Sequence, residues 1–285
     1  MLEKARKYEK VESAKIAKEN RPAFHFSNPV GWMNDPNGFS EYKGEHHLFF
    51  QYYPYATHWD SMHWGHAKSV DFIKWEYLPV ALAPDQDYDN FGVFSGSAIE
   101  DGEKQILIYT GVEEKAAPNG EKCIRQNQCV AIGNGVEYEK IENNPVVTAD
   151  MLPEGSSLED FRDPKVWKEN GKYYMVTSGC TGWDPNEAEY AVAESILGPW
   201  KAVENPCRGK DADKTFYGQS TFILPVNGKK DGYIMMFDKW NKTNLIDSRY
   251  IWLPIVFEGE NLTIPWMETW NLDNIGCRFV GENRK

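Results

Sequence analysis

The feature that most constrains the fold is a repeated strand unit. A glycine-flanked turn that leads into an aliphatic and aromatic strand occurs four times, as YKGEHHLFFQYYP, EDGEKQILIYTG, KENGKYYMVTSG and VNGKKDGYIMMFDKW. These strong strands start roughly 60 residues apart, near His47, Gln105, Lys172 and Asp231. A four-stranded propeller blade has about that length, and radial repetition leaves few sheet edges exposed. The repeat therefore predicts an all-β chain that folds as a β-propeller.

The segments between these strands complete the blades. Each strong strand is followed by a further strand and then by an edge-like segment with Trp or Tyr, namely IKWEYL, VEYEKI, LGPWKAV and IPWMETW. Four blade-length units are countable, beginning near residues 32, 92, 160 and 216. No low-complexity linker separates them, so we interpret residues 1–285 as a single propeller domain. Before it, residues 1–20 carry apolar side chains at helical spacing, which predicts a short amphipathic helix.

Composition restricts the class of partner. The formal net charge of −12 makes the chain a poor electrostatic match for nucleic acid or an anionic membrane, but it permits neutral sugars. No stretch is long and apolar enough to span a membrane, and the polar N-terminus predicts no secretory signal. The five cysteines are scattered and lie far from the histidines, which predicts free thiols and no structural zinc. We therefore expect a cytoplasmic protein without metal or cofactor, of unassigned oligomeric state.

Two Asp-Pro elements carry the strongest chemical signal. The first contains Asp35, in GWMNDPNG, and the second contains Asp163, in FRDP. Asp-Pro-Asn-Gly alone is turn chemistry, because proline fixes φ and Asn-Gly accepts positive φ. Here, however, an aromatic and an amide directly precede Asp35, and each element opens a blade-like unit. Two carboxylates near a propeller axis suit glycoside hydrolysis, in which one attacks the sugar and another stabilises charge or donates a proton.

Five ordered motifs add a specific resemblance. GWMNDPNG, FFQYYP, HWGHA, FSGSA and FRDPKVW lie within roughly residues 20–178. Together they resemble glycoside hydrolase family 32, the invertases and bacterial sucrose-6-phosphate hydrolases. The resemblance implies a five-bladed propeller and retention of anomeric configuration. It also implies that Asp35 is the nucleophile attacking the fructosyl anomeric carbon and that Asp163 stabilises the transition state by holding fructose hydroxyls.

The same resemblance implies a set of fructose-binding side chains around the two aspartates. They are Asn34, Gln51, Trp59, Phe94, Ser95 and Arg162. The residue types agree, because amides form paired hydrogen bonds with vicinal hydroxyls and an indole offers a flat apolar face to a sugar ring. Core packing is the alternative for Trp59 and Trp64, and a simple ion pair is the alternative for Arg162.

One catalytic group expected from that family is missing. A retaining glycosidase needs a general acid with a raised pKa, which family 32 carries in a Trp-Glu-Cys-Pro element, and this sequence has no such element. Alignment of the following strands puts Gln219 of YGQST at that place, and a neutral amide is a poor proton donor. Glu159, Glu187 and Glu189 remain candidate acids, with solvation at the surface as the alternative for each.

The second half of the chain resembles a different family. TSGCTGWDPNEAEYAVAESILGPW and GQSTFILPVNGKKDGYIMMFDKWN are similar to the later blades of glycoside hydrolase family 43, in which the Gln of Gln-Ser-Thr lies in the active site. That resemblance makes Gln219 a candidate substrate-binding residue. We interpret the chain as a family 32 front half over about residues 20–178 and a family 43 back half over residues 179–285. The tail after residue 272 is interpreted as the strand that closes the ring, and no C-terminal β-sandwich is expected.

Three hypotheses for function stay open. The first is a retaining β-fructofuranosidase that cleaves sucrose or sucrose 6-phosphate. The second is a recombined or catalytically impaired propeller that binds sugar without turnover. The third is a galactan- or arabinan-directed hydrolase that follows the back half. Each predicts a small sugar or an oligosaccharide as the ligand.

Overall fold

A computed structural model of the chain describes residues 1–117, 120–152, 156–179, 181–182 and 184–276. Most of its regular structure is β-strand, arranged in four sheets. The chain divides into two compact units, Met1–Val166 and Trp167–Lys285. The all-β prediction is confirmed, whereas the single-domain interpretation stays a prediction.

The first unit contains one helix and two antiparallel sheets. Helix α1 spans Leu2–Ser13, so the predicted N-terminal helix is confirmed and ends earlier than residue 20. The strands of the first sheet are β1 Trp32–Tyr42, β2 Glu45–Tyr53, β3 His63–Ser69 and β4 Glu76–Leu82. Those of the second sheet are β5 Gly92–Asp101, β6 Lys104–Ala116, β7 Lys122–Gly133 and β8 Tyr138–Lys140. Each sheet is an up-and-down meander in chain order, as predicted for blades that begin near residues 32 and 92.

The second unit contains the other two sheets, the first of which begins two residues before the boundary. The strands of the third sheet are β9 Lys165–Glu169, β10 Lys172–Ser178, β11 Ala188–Ala193 and β12 Lys201–Val203. The fourth sheet contains β13 Cys207–Arg208, β14 Gln219–Pro225, β15 Tyr233–Lys239, β16 Arg249–Glu258 and β17 Asn261–Pro265. The short β13 pairs in parallel with β17, and the other four strands form an antiparallel meander. Four blade-like sheets therefore lie in the described part of the chain, the number counted from the sequence.

The cores explain why the strong strands repeat. In β6 every residue from Gln105 to Glu113 is buried, because neighbouring strands and packed side chains cover both faces. Trp64 and Tyr109 are fully buried in the same cluster, so packing is the observed role of Trp64. In the second unit the strong strands β10 and β15 contribute Tyr174, Val176, Met235 and Phe237 to a separate core. Burial on both faces requires apolar side chains at successive positions.

Helix α1 packs on the first unit through a small contact. Ala5 is fully buried in a cluster with Val80 of β4 and two aromatic side chains of β2. Arg6 adds polar contacts, because its Nε donates to the Val80 carbonyl at 3.0 Å and its Nη1 lies 2.8 Å from Glu137 Oε2. The buried Ala5 and the polar contacts of Arg6 therefore hold the helix against the sheet.

Three of the five cysteines lie in the described part of the chain as free thiols, namely Cys123, Cys129 and Cys207. Cys180, Cys277 and most of the predicted closing strand, residues 277–285, lie outside the described residues. Within the described chain, no helix combines the length and the apolar character that a membrane crossing requires.

Candidate active site

Asp35 lies in an irregular stretch of β1. The register between β1 and β2 shifts twice, before Pro36 and after Asn37, so the strand is bulged on both sides of this dipeptide. Gly38 adopts a φ of +54°, and a Cβ there would lie 2.7 Å from Cδ2 of Phe49. Only glycine satisfies both conditions. The Asp-Pro-Asn-Gly sequence is therefore part of a bulged strand, rather than the free turn that it would form in isolation.

Hydrogen bonds hold both carboxylate oxygens of the exposed Asp35. Asn34 Nδ2 donates to Oδ1 at 3.3 Å, and Ser95 Oγ donates to Oδ2 at 3.1 Å. The Asn34 amide is itself fixed, because Trp32 Nε1 donates to its oxygen at 2.8 Å. Two of the predicted binding residues, Asn34 and Ser95, thus contact the predicted nucleophile directly.

A second bulge, in β5, positions Ser95. The register between β5 and β6 shifts between Phe94 and Gly96. A Cβ on Gly96 would lie 2.0 Å from the carbonyl oxygen of Ile108, so the two strands approach too closely there for any side chain. Asn37 Nδ2 also donates to Ser95 Oγ at 3.3 Å. The FSGSA motif therefore serves to bring a hydroxyl against Asp35.

Asp163 lies in a loop whose backbone is held by the second sheet. Its φ of +59° is in the left-handed region, which is unfavourable for a residue other than glycine. The Asp163 N–H donates to Thr110 Oγ1 at 3.1 Å. Ser97 Oγ donates to the Pro164 carbonyl at 3.0 Å and accepts from the Val166 N–H at 3.0 Å. Hydrogen bonds on both sides of the strained residue therefore maintain its conformation.

Charges around Asp163 link it to Arg162 and Asp35. Although 45% of its side chain is exposed, desolvation by the surrounding protein raises the pKa of the Asp163 carboxyl to about 6. The Arg162 guanidinium, whose Nε lies 3.8 Å from Asp163 Oδ2, opposes this rise, and the negative charge of Asp35 adds to it. The charge of Asp35 is thus close enough to affect the ionisation of Asp163. Arg162 also pairs with Asp160 at 2.8 Å, so the ion-pair alternative for Arg162 describes a real contact.

The remaining predicted binding residues of the first unit differ in exposure. Trp59 is 45% exposed and packs edge-to-face on Phe94, with ring centroids 5.9 Å apart. Its face is therefore open to a ligand. Gln51 is buried, and its Nε2 donates to the Val93 carbonyl at 3.0 Å, which ties β2 to β5. Its observed contact is a structural one.

Two buried polar residues beside the candidate site escaped the sequence interpretation. Thr110 and Gln128 are fully buried polar side chains on adjacent strands, and Thr110 Oγ1 lies 3.2 Å from Gln128 Oε1. Thr110 also donates to the Ser95 carbonyl at 3.0 Å, and Gln128 Nε2 donates to the Phe161 carbonyl at 2.8 Å. Thr110 is a polar residue in the apolar strand motif ILIYTG, whereas Gln128 follows the polar residues 125–127 and carries no such signal.

The candidate acids differ in burial. Glu159, in the first unit, is exposed. In the second unit Glu187 is exposed, whereas Glu189 is half-buried on β11. Desolvation, and then the charge of Glu187, raise the pKa of the Glu189 carboxyl above its ordinary value. A raised pKa of this kind is expected of a general acid.

Gln219 lies at the start of β14 in the second unit, and its Nε2 donates to the Gly182 carbonyl at 3.3 Å. It lines a cavity of about 470 Å³ that is formed by residues of this unit. Within the described chain, no group of three or more His, Cys, Asp or Glu side chains could hold a metal ion.

Comparison with known proteins gives consistent matches. The model of the glycosyl hydrolases family 32 N-terminal domain matches residues 25–241. The sucrose-6-phosphate hydrolase of Zymomonas mobilis is 46% identical over 164 residues, which are 56% of this chain and 30% of that protein. A raffinose invertase of Escherichia coli is 45% identical over 156 residues, or 54% of this chain and 31% of that protein. The chain thus spans about a third of the length of these curated relatives.

Solved structures agree with the sequence matches. The family 32 β-fructofuranosidase of Bombyx mori superposes with a TM-score of 0.71 at 30% identity, covering 92% of this chain and 54% of that one. A variant of the same enzyme in complex with sucrose gives a TM-score of 0.70 at 29% identity. The predicted β-propeller class is therefore confirmed. The family match runs through residue 178, where the predicted change of family falls, and no finding supports a family 43 half or a chimera.

Proposed function

The chain belongs to glycosyl hydrolase family 32, and from this premise we propose that it is a retaining β-fructofuranosidase acting on sucrose or sucrose 6-phosphate. The observation that carries the proposal is a hydrogen-bonded connection between the two aspartates within one unit. Ser95 Oγ donates to Asp35 Oδ2, and Thr110 Oγ1 donates to the Ser95 carbonyl and accepts from the Asp163 N–H. Relatives named for the hydrolysis of sucrose 6-phosphate and raffinose support the choice of substrate class.

In the proposed reaction Asp35 is the nucleophile. Its carboxylate attacks the fructosyl anomeric carbon, and the bond to the leaving-group oxygen breaks as that oxygen receives a proton. Water then attacks the fructosyl-enzyme ester, which releases fructose and restores the carboxylate. The hydrogen bonds from Asn34 and Ser95 fix the attacking oxygens before substrate arrives, which lowers the cost of orientation.

The other residues of the first unit have supporting roles in this proposal. Asp163, when ionised, accepts hydrogen bonds from fructose hydroxyls, and Arg162 favours that ionised form. The exposed Trp59 and the half-buried Phe94 provide an apolar wall for the sugar ring. The donor of the leaving-group proton is not assigned.

A second candidate function is a catalytically impaired propeller that binds sugar, because no residue is assigned as the general acid. The sequence lacks the Trp-Glu-Cys-Pro element and has Gln219 at the aligned place. Loss of general acid–base catalysis costs a reaction about 10²–10⁴-fold in rate. The galactan- or arabinan-directed alternative depends on the likeness of residues 179–285 to family 43, which the comparisons do not support.

Fructose release from sucrose and from sucrose 6-phosphate tests the proposal. Asp35→Asn should lower the rate by about 10³-fold or more, because the amide cannot form the ester intermediate. Asp87→Asn is the matched control, since it makes the same change in an exposed side chain. Equal activity in Asp35→Asn and the parent would refute the assignment. A thermal shift with sucrose but no turnover in the parent would favour the impaired propeller.

A further inference from the structure

The second asparagine of the GWMNDPNG segment, Asn37, lies behind the proposed nucleophile. Asn37 is 6% exposed, and its Nδ2 donates to Ser95 Oγ at 3.3 Å. Ser95 Oγ in turn donates to Asp35 Oδ2 at 3.1 Å. The two bonds form a chain from a buried amide through a hydroxyl to the carboxylate. The reaction proposed above uses Asp35 and Ser95 and gives no role to Asn37.

The backbone of Ser95 is held by three buried side chains. Three successive carbonyls of β5, at residues 93–95, each accept a hydrogen bond at 3.0 Å from such a side chain. The donors are Gln51 Nε2, Trp64 Nε1 and Thr110 Oγ1. They belong to three different strands, β2, β3 and β6, so the backbone of Ser95 has little freedom to shift. The direction of the Ser95 O–H bond is then left to the side chains around that hydroxyl.

The Asn37 amide determines that direction. A serine hydroxyl has one proton, which rotates about the C–O bond, and two acceptor lone pairs. The Asn37 N–H occupies one lone pair of Ser95 Oγ, which leaves the hydroxyl proton for the carboxylate of Asp35. An oxygen in place of this N–H would compete with Asp35 for the same proton. The chain of bonds therefore requires a donor at position 37.

The other end of the Asn37 amide supports a role for its N–H. Among the described residues, Asn37 Oδ1 has no hydrogen-bond partner although it is buried. A buried polar atom without a partner is unfavourable for folding. An apolar side chain of similar size would avoid that cost, so packing alone does not account for an amide at this place.

We propose that Asn37 is a positioning residue for the nucleophile, which acts by keeping the hydroxyl proton of Ser95 on Asp35. With that bond in place Asp35 Oδ2 has a fixed direction, and the carboxylate does not have to be reoriented when the sugar arrives. Asn37 acts through Ser95 and not on the substrate. The inference rests on the proposed function, because it concerns the same nucleophile.

A double-mutant cycle between Asn37 and Ser95 tests the proposal. The substrate is an aryl β-fructofuranoside, whose phenolate leaves without help from a general acid. Asn37→Ala and Ser95→Ala should each lower kcat by about tenfold with little change in KM, because both lose the same fixed hydroxyl bond. The double variant should be no slower than the slower single variant, since Asn37 has nothing to act on once the hydroxyl is gone. A fall of about a hundredfold, the product of two independent effects, would overturn the proposal.

Two further variants separate positioning from packing. Asn144→Ala is the matched control, because the Asn144 side chain bonds to both the N–H and the carbonyl of Val130 at 2.8 Å. It should lower the Tm and leave kcat unchanged, alone and with Ser95→Ala. Asn37→Asp keeps the shape but puts an acceptor where the N–H was, so it should lower kcat at least as much as Asn37→Ala. Parental kcat in Asn37→Asp would refute the requirement for a donor.

The carboxyl carbon resonance of Asp35 provides a measurement that does not need turnover. It is assigned in protein with isotope-labelled aspartate by its loss in Asp35→Asn. The resonance should move to the same position in Asn37→Ala and Ser95→Ala and stay in place in Asn144→Ala. If these shifts occur in a chain that does not hydrolyse the substrate, the proposed function fails and the positioning of Asp35 holds. An unmoved resonance in Asn37→Ala would overturn the positioning role, with or without turnover.

Discussion

Thr110 is the residue that joins the backbone segments bearing the two candidate catalytic groups. Its hydroxyl contacts the Ser95 carbonyl and accepts the N–H of Asp163, while the Ser95 side chain donates to Asp35. A single buried hydroxyl therefore links the backbone of Ser95, whose side chain donates to Asp35, to the backbone of Asp163. Because Thr110 touches neither aspartate side chain, we regard it as a positioning residue.

Thr110→Val should separate positioning from packing, since valine keeps the shape and loses the hydroxyl. The Asp163 N–H loses its partner, so we expect the free energy of unfolding to fall by about 1–3 kcal/mol. We also expect kcat for sucrose to fall by about tenfold with little change in KM, because a misplaced Asp163 weakens mainly the transition state. Steady-state kinetics and urea unfolding measure the two effects.

Thr110→Ser is the rescue variant, because it restores the hydroxyl and should recover most of kcat. Thr221→Val is the matched control, since Thr221 is exposed and donates only to the Met236 carbonyl. If Thr110→Val keeps the parental kcat while losing stability, the role of Thr110 is structural and the positioning role is wrong.

Arg162 should set the acid limb of the pH profile. The pKa of Asp163 is raised to about 6, so the fraction of ionised Asp163, and with it kcat/KM, should rise as the pH increases through about 6. Arg162 holds that pKa down. Arg162→Gln should therefore move the acid limb to higher pH, by about 0.5–1 unit. Arg162→Lys retains the charge and should keep the limb near pH 6; an unmoved limb in Arg162→Gln would contradict this role.

Among single residues, the sequence predicted the site residues that lie in recognisable motifs. It did not predict the residues whose importance depends on their contacts in the folded chain. Asp35, Asn34, Ser95, Arg162 and Asp163 lie in recognisable motifs, and the structure brings them together in one unit. Gln51 comes from an equally recognisable motif, but it is buried and donates to a backbone carbonyl. A sequence motif does not indicate such burial. The hydrogen bonds of Thr110 and Gln128 join neighbouring strands and the loop at Phe161, so the sequence around each residue does not identify its partners.

Among the elements, helix α1 contains a pH-sensitive carboxyl. Desolvation raises the pKa of Glu9 to about 7, and interactions with the Tyr52 hydroxyl and the Arg6 guanidinium offset only part of that rise. A folded pKa above the unfolded value means that the native state binds the proton more tightly. The stability contributed by protonated Glu9 is therefore full below about pH 4.5 and is lost as the pH rises through about 7.

Glu9→Gln should make the chain more stable at pH 8.5 and leave its stability near pH 4.5 almost unchanged, because glutamine has no charge to desolvate. Thermal unfolding across this pH range measures the difference in Tm between variant and parent. Glu19→Gln removes the same charge from an exposed position and should follow the parent. A gain in Tm that is the same at both pH values would show that burial of the Glu9 charge is not its cause.

Elements with strong periodicity were predictable, whereas irregular ones were not. The four strong strands match β2, β6, β10 and β15, because burial on both faces imposes a continuous apolar sequence. The bulges of β1 and β5 were not predicted, although each contains a glycine that allows close approach. The left-handed turn at Thr215–Tyr217 contradicts local preference, and tertiary anchoring alone maintains it.

For the whole molecule, the number of sheets followed from the repeat spacing, and the family followed from the first-half motifs. Four sheets occur in the described chain, two in the first unit and two that lie mainly in the second. The family match extends to residue 241, which places most of the second unit in the same family as the first. The predicted change of family rested on two segments, TSGCTGWDPNEAEYAVAESILGPW and GQSTFILPVNGKKDGYIMMFDKWN, whose strand portions follow from sheet burial in any propeller.

Substrates with different leaving groups test whether the molecule supplies a general acid. Glucose leaves from sucrose as an alkoxide unless it is protonated, whereas an aryl fructofuranoside releases a stable phenolate that needs little protonation. A chain that has the nucleophile but no acid should hydrolyse the aryl substrate well and lose about 10²–10⁴-fold on sucrose. We expect this large ratio of kcat/KM values, because the family's acid element is absent from the sequence.

The ratio of kcat/KM for the aryl substrate to kcat/KM for sucrose, measured in variants, also identifies the acid if one exists. A complete enzyme protonates its leaving group, so kcat/KM values that are comparable and high for both substrates would contradict the expectation and demonstrate a working acid. Glu189 is then the first residue to replace, because its pKa is raised and it is half-buried. Glu189→Gln would reduce the rate on sucrose and spare the aryl substrate, whereas the exposed Glu187→Gln would change neither. An aryl rate as low as the sucrose rate, with both lost in Asp35→Asn, would place the limit at the nucleophilic step, which every glycosyl transfer through Asp35 shares.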